Sequence, residues 1–364
     1  MFLISRTLRF IVHGVSPLRF VGPSATLLAM LVVGYLAVAG KLDFASLDLP
    51  LDAVQDLGAT DPASPAATSL QPVSLDRNAP RPNERIRLAT FNIQRFGEKK
   101  SADAEVMGHL AKIVSNFDLV AIQEVQSPQA MPIARLIDLI NRSGGRYDAS
   151  VSEPIGHTTY KEQYAFVWDT TRIRMLPDSA YMVRDNPPPH NRMHRPPMVG
   201  SFETRIQPQA GRRPFRFTVI NVHTDPDEVT SSSQLNELNV LDDVFIRVRE
   251  YEYQVRQITN VLLVGDLNVS TANLGELGAI PGMMSVVGTT PTNTAGNKTY
   301  DHILMDRQIT TEYTGVFGVV DYQRDYGLTS AQANRVSDHC PVWAEFSAYE
   351  LPPLATAGRG GSIR

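Results

Sequence analysis

The stretch NVLLVGDLNV, residues 260–269, decides the fold. Val261 to Val264 form an unbroken apolar run, the pattern of a strand covered on both faces. Gly265 lets the backbone turn or approach a neighbour closely. Asp266 and Asn268 follow two residues apart, so they project to one side if the chain stays extended. They could hold a metal or a phosphate oxygen and orient an attacking water. The alternative is an ordinary turn, where both residue types are common.

Similar runs lie on either side. IRLATFNI, LVAIQEV, EQYAFVWD, MVGSFETRI, FRFTVINVH, YDHILM and CPVWAEF all read as strands. Between them, SADAEVMGHLAKIVSNF carries Val106, Leu110, Ile113, Val114 and Phe117 at helical spacing. PIARLIDLINRSGG reads as a helix stopped by Gly144. SSQLNELNVLDDVFIRVREYEYQ is a long amphipathic helix bearing Leu235, Leu238, Leu241, Phe245 and Val248. Helices interleaved with continuous apolar strands imply an α/β layered fold. Several neighbouring strands lack an intervening helix, so the sheets are expected to be mixed. Two sheets packed face to face and covered by helices satisfy both patterns.

A second pattern rides on the first. Asn92, Glu124, the Tyr160/Glu162 pair, His223, Asp266 with Asn268, Asp301, and Asp338 with His339 each sit at the end of an apolar run. Polar strand ends spread over a whole domain point to one site assembled from many segments. Asp, Glu and Asn are hard oxygen ligands suited to Mg²⁺ or Ca²⁺. Two histidines beside acids add proton transfer near neutral pH. Together they suggest metal-assisted hydrolysis of a phosphate ester. Taken singly, each residue has a plainer reading. Glu124 could form a salt bridge or cap a helix, and Asn92 could satisfy nearby backbone. His109, His157, His190, His194 and His302 lack a comparable setting and are assigned to surface or core.

The gross numbers bound the rest. The chain has 364 residues, 43% hydrophobic, a formal net charge of −4 and one cysteine, Cys340. An intramolecular disulfide is therefore excluded, and no global basic charge advertises nucleic acid. Residues 1–40 read as a membrane anchor or signal segment. Val21 to Gly40 is an uncharged apolar run behind Arg6, Arg9 and Arg19, about the roughly 20 residues a membrane span needs. The positive-inside rule puts the chain beyond this run outside the cytoplasm. Ala37-Val38-Ala39 also fits signal cleavage, which would release a secreted domain. Residues 41–84 read as a flexible linker, 85–347 as the catalytic domain, and 348–364 as a disordered tail. No protein partner is expected.

The blocks TFNIQRFGE, LVAIQEV, YKEQYAFVW, VINVH, LLVGDLNV, TYDHILM and VSDHCPV occur in the order of the endonuclease/exonuclease/phosphatase superfamily, which the stretch from Arg85 to Phe346 resembles. YKEQYAFVW with NIQ-x-FGE is most similar to the deoxyribonuclease I branch. The resemblance implies a four-layer α/β/β/α sandwich with two packed mixed β-sheets. It implies a divalent cation, Mg²⁺ or alternatively Ca²⁺ or Mn²⁺, held by Asn92, Glu124 and Asp338. It implies catalytic Glu162 paired with His223, catalytic Asp301 paired with His339, and Asp266 at the scissile phosphate with Asn268. Tyr160 and Arg195 would contact phosphate, and DNA would be the substrate. The chain departs from the family at Gln126, where the deoxyribonuclease branch carries a minor-groove arginine, and at Pro196, where a glutamate is usual. A lipid phosphodiesterase or phosphatase of the sphingomyelinase or inositol-phosphate kind is the alternative on the same scaffold, and a non-catalytic scaffold domain is a third reading.

Overall fold

The computed structural model describes residues 71–352, except 78, 79, 128, 158, 160, 185–191, 210 and 231–235. The apolar run at 21–40, most of the expected linker and most of the expected tail lie outside the described residues, as does Tyr160. Among the described residues, no helix is long and apolar enough to cross a membrane.

In chain order the elements are β1 (Arg85–Gly97), α1 (Glu98–Ser101), α2 (Ala104–Val114), β2 (Leu119–Gln126), α3 (Met131–Arg142), β3 (Tyr147–Val151), β4 (Gln163–Asp169), β5 (Ile173–Met175), β6 (Tyr181–Met182), β7 (Met198–Thr204) and β8 (Arg216–His223). Then come α4 (Leu238–Arg256), β9 (Val261–Asp266), α5 (Gly275–Ala279), β10 (Met283–Ser285), β11 (Asp301–Asp306), β12 (Tyr313–Val319), α6 (Tyr322–Tyr326), α7 (Ser330–Val336) and β13 (Val342–Ser347). The strands form two sheets, in the orders β12-β13-β1-β2-β4-β3 and β10-β11-β9-β8-β7-β5. Each is mixed: β1 runs parallel to β2 and β8 parallel to β9, while their other neighbours are antiparallel.

The unbroken apolar runs are explained by burial on both faces. On β1, Ile86 and Leu88 point into the layer between the sheets, while Ala89 and Phe91 point outward onto Val106 and Leu110 of α2 and Leu136 of α3. On β9, Leu262 and Val264 face inward, and Val261 and Leu263 face Leu241 and Phe245 of α4. Three apolar layers thus separate four layers of secondary structure, helix, sheet, sheet, helix. Each fully buried Leu, Val or Phe contributes roughly 1.5–3 kcal/mol.

Local signals fix the helix ends. The Asp103 side chain caps α2 by accepting from the N–H groups of Glu105 and Val106 at 3.1 and 3.2 Å. Gly144, at φ +95°, follows the end of α3. Packing continues on both sides of residues 85–347. Val73 N–H donates to Phe317 O at 2.8 Å, Arg81 pairs with Asp118 and Asp169 at 2.5 and 2.8 Å, and Tyr349 is buried.

Candidate active site

The layer between the sheets changes character along its length. On each central strand, every second residue faces it, and the series runs from apolar to polar. It reads Leu88, Thr90, Asn92 on β1; Leu119, Ala121, Gln123 on β2; and Phe217, Val219, Asn221, His223 on β8. On β9 it reads Leu262, Val264, Asp266, and on β11 it runs back from Met305 and Ile303 to Asp301. The polar ends coincide because β1 is parallel to β2, β8 is parallel to β9, and antiparallel β11 begins with Asp301 opposite Asp266. Behind them Gln123 donates to Asn221 Oδ1 across the sheets at 2.6 Å. Asn92 Nδ2 then reaches Asp266 Oδ2 at 3.0 Å, again from one sheet to the other.

Asp266 is the hub. Its Oδ2 lies 3.6 Å from His223 Nε2 and 3.5 Å from His339 Nε2. Each imidazole is backed on its other nitrogen by a buried carboxylate. Glu162 Oε2 is 3.2 Å from His223 Nδ1, and Asp301 Oδ2 is 2.9 Å from His339 Nδ1. The Thr292 hydroxyl donates to the same Asp301 oxygen at 2.8 Å. Burial works to lower both histidine pKa values, but the facing carboxylates outweigh it. His223 is raised, chiefly by Glu162, and His339 is pushed up to about 11, chiefly by Asp301 and Asp266. Asp266, Asp301 and His339 also place one ligand atom each within 4.8 Å of the others, close enough to hold a metal ion.

Arg195 is 8% exposed. Its Nε lies 2.5 Å from Glu162 Oε1 and donates to His223 O at 3.0 Å, while Nη2 donates to Thr224 O at 2.8 Å. The guanidinium therefore orients Glu162 and the backbone after β8. Asn268, left-handed at φ +54°, donates to the same Thr224 carbonyl at 2.9 Å, and its own N–H donates to Asp266 Oδ1 at 3.0 Å.

The remaining acids lie around the end of β1. Glu124 Oε1 accepts from Asn92 Nδ2 at 3.0 Å, and Oε2 accepts from the Arg95 N–H at 2.8 Å. Burial opposes its charge, but His223, those two donors and His339 hold the carboxyl below its ordinary value. Asp338 Oδ2 accepts from Gln94 Nε2 at 2.7 Å. Lys100 donates to Gln94 O and, at 2.9 Å, to Val336 O, tying β1 to the segment that carries Asp338 and His339. Burial lowers its ammonium to about 8 against the pull of Glu124 and Asp338.

Two buried oxygens here, Asn92 Oδ1 and Asp338 Oδ1, have no hydrogen-bond partner among the described residues, and neither does Asp301 Oδ1. Unpartnered buried acceptors cost free energy unless a cation or water meets them. With the anionic Glu124 they make an all-oxygen donor set, which fits a hard divalent ion. The donor set at Asp266, Asp301 and His339 is a second place where one could sit.

Sequence reasoning had no hold on the supporting residues Gln94, Lys100, Tyr164, Asn221, Glu237 and Thr292. Tyr164 OH accepts from the His223 N–H at 2.9 Å, and buried Glu237 accepts from the N–H groups of His194 and Asp225 at 2.6 and 2.7 Å. His302, set aside as core or surface, is buried: its ring bonds Val269 O at 2.8 Å and Ser285 Oγ at 2.9 Å.

Two carboxylate-backed imidazoles meeting at one aspartate, beside a hard oxygen donor set on a four-layer sandwich, define a hydrolase site for phosphate esters. The endonuclease/exonuclease/phosphatase family model matches residues 89–339, and the chain belongs to that family. Among curated relatives, the deoxyribonuclease-1 of Rattus norvegicus is 28% identical over 269 residues, covering 71% of this chain and 90% of the relative. That of Mus musculus is 29% identical over 272 residues, with the same coverage. Among solved structures, the human Nocturnin catalytic domain with bound sulfate anion has a TM-score of 0.48 at 15% identity, covering 76% of this chain and 97% of that one.

Proposed function

We propose that this chain is a divalent-cation-dependent endonuclease that hydrolyses the phosphodiester bonds of DNA. The observation that carries the reading is the convergence of Glu162–His223 and Asp301–His339 on Asp266 Oδ2, at 3.6 and 3.5 Å. A cation, Mg²⁺ in the simplest case with Ca²⁺ or Mn²⁺ as alternatives, would be held by Asn92, Glu124 and Asp338 and would neutralise charge on the phosphate oxygens.

The protein's own groups do the rest. Asp266, fixed by the Asn92 amide and the Asn268 N–H, orients a water for in-line attack on phosphorus and takes its proton. The new oxygen–phosphorus bond forms as the bond to the leaving oxygen breaks. Protonated His223, stabilised by Glu162, gives its proton to that leaving oxygen. Protonated His339, stabilised by Asp301, supplies preorganised positive charge where negative charge develops. Tyr160 belongs to the substrate side of this reading, whereas Arg195, expected to contact phosphate, is buried against Glu162 and two backbone carbonyls and acts as the positioning residue of Glu162.

The test is a substrate panel: plasmid DNA, RNA, sphingomyelin and phosphoinositides, each with Mg²⁺, Ca²⁺ or Mn²⁺ and a chelator control. Cation-dependent nicking of plasmid is the expected result. Preferential turnover of a lipid would replace the nuclease reading with the phosphodiesterase alternative. His339→Ala and Asp266→Ala are each expected to lower turnover by orders of magnitude with little change in thermal unfolding; near-normal rates in both would defeat the assignment. We further propose that the catalytic domain works outside the cytoplasm, on the strength of the apolar run 21–40 behind three arginines. A reporter enzyme active only after export, fused behind residue 84, is expected to be active; an inactive fusion refutes export.

A further inference from the structure

The register of β1 against β2 breaks next to the site. Asn92 pairs with Gln123 and Phe96 with Val125, so Ile93, Gln94 and Arg95 stand opposite Glu124 alone. Two residues of this bulge have clear duties. Gln94 holds Asp338, and the Arg95 N–H holds Glu124 Oε2 at 2.8 Å. Both Arg95, at φ +50°, and Glu124, at φ +61°, occupy the left-handed region, which is strained for a residue with a Cβ.

The duty of the Arg95 backbone needs no arginine. Any residue but proline supplies an N–H, and glycine would supply it without strain. The side chain is exposed, and its guanidinium has no hydrogen bond or ion pair with any described residue. A full positive charge therefore stands free at the rim of the site, one residue from the side chain that holds Asp338.

We propose that the Arg95 guanidinium grips a backbone phosphate of a nucleic-acid strand outside the scissile diester, and so sets the preference for a polymer over a small diester. The proposal rests on the phosphodiesterase reading above. A guanidinium suits the task because it is always charged and pairs with phosphate through two parallel N–H donors.

The experiment compares the unaltered full-length chain with Arg95→Gly and Arg95→Lys, under Mg²⁺, on plasmid DNA and on bis(p-nitrophenyl) phosphate. Arg95→Gly is expected to lower the ratio of kcat/KM on DNA to kcat/KM on the small diester about tenfold, through KM on DNA. The dependence of log KM on log salt should become shallower by about one unit, the loss of one phosphate contact. Arg95→Lys should keep most of the ratio and the salt slope. The thermal midpoint of Arg95→Gly should not fall, because glycine relieves the strain. A ratio that does not move in Arg95→Gly overturns the proposal while leaving the phosphodiesterase reading in place. If the unaltered chain cleaves neither substrate, that reading fails and the role of Arg95 falls with it.

Discussion

At the scale of single residues, the site is a set of carboxylates whose charge is used twice. Asp301 shows this most clearly. It is wholly buried, accepts from the Thr292 hydroxyl at 2.8 Å, and lies 2.9 Å from His339 Nδ1. Removing its charge while keeping its shape should leave the packing alone and remove the main support of the imidazolium. Asp301→Asn is therefore expected to lower kcat by roughly 10²–10⁴-fold, with a cooperative urea unfolding transition whose midpoint falls, because the buried partner of the imidazolium is gone. Single-turnover rates and unfolding curves on the same preparation check both halves, and a rate within threefold of normal would remove Asp301 from the mechanism.

At the scale of elements, two features decide whether the site is assembled. The first is Gly265 in β9, at φ +145°, where a Cβ would sit 1.8 Å from the Val222 carbonyl oxygen of β8. Those two strands carry His223 and Asp266 as a register pair. Gly265→Ala forces them apart and is expected to cost on the order of 3 kcal/mol of stability and to depress activity, measured by urea unfolding and turnover. The second is Glu237, immediately before α4. It is buried and accepts two backbone N–H groups, from His194 and Asp225, joining the segments around Arg195 and His223. Burial, the largest influence, raises its carboxyl to about 7 in spite of those donors and Arg195. A raised folded pKa means the native state binds the proton more tightly than the unfolded chain. This contribution is fully present below about 4.5, the ordinary glutamate value, and is lost as pH rises through about 7. The unaltered chain should therefore lose stability relative to Glu237→Gln over that window, by up to about 3 kcal/mol. Urea midpoints of the two proteins at several pH values test it, and parallel curves would contradict it. Elements also explain what the sequence revealed. β1, β2, β4, β8 and β9 are buried on both faces and read as apolar runs. β3, β5, β6 and β10 are short and partly exposed, and β12 carries Gly315 and Gly318 at a sheet edge, so none gave a clear period.

At the scale of the molecule, the site exists only where two sheets meet. Gln94, Lys100, Glu237 and Thr292 could not be read from the sequence because their partners are set by that meeting. Lys100 reaches a carbonyl 236 residues away, and no local pattern announces such a pair. The strand-end acids and histidines were legible because each strand marks its own end. The same geometry makes cation binding a property of the whole fold. Asn92 belongs to one sheet and Asp266 to the other. Asn92 Nδ2 bonds both Asp266 and Glu124 at 3.0 Å, while its Oδ1 has no partner among the described residues. A divalent ion meeting that oxygen would bind the assembled sandwich and not the unfolded chain. Linkage then requires stabilisation of about 2.7 kcal/mol at a free-ion concentration one hundred times Kd. Mg²⁺ titration should raise the unfolding midpoint progressively, and a chelator should reverse it. Glu124→Gln should abolish most of the shift, because it removes the anion while keeping a side chain of the same length between the Asn92 and Arg95 donors. An undiminished shift in Glu124→Gln would move the ion to the alternative donor set of Asp266, Asp301 and His339, where Asp301→Asn should then remove it.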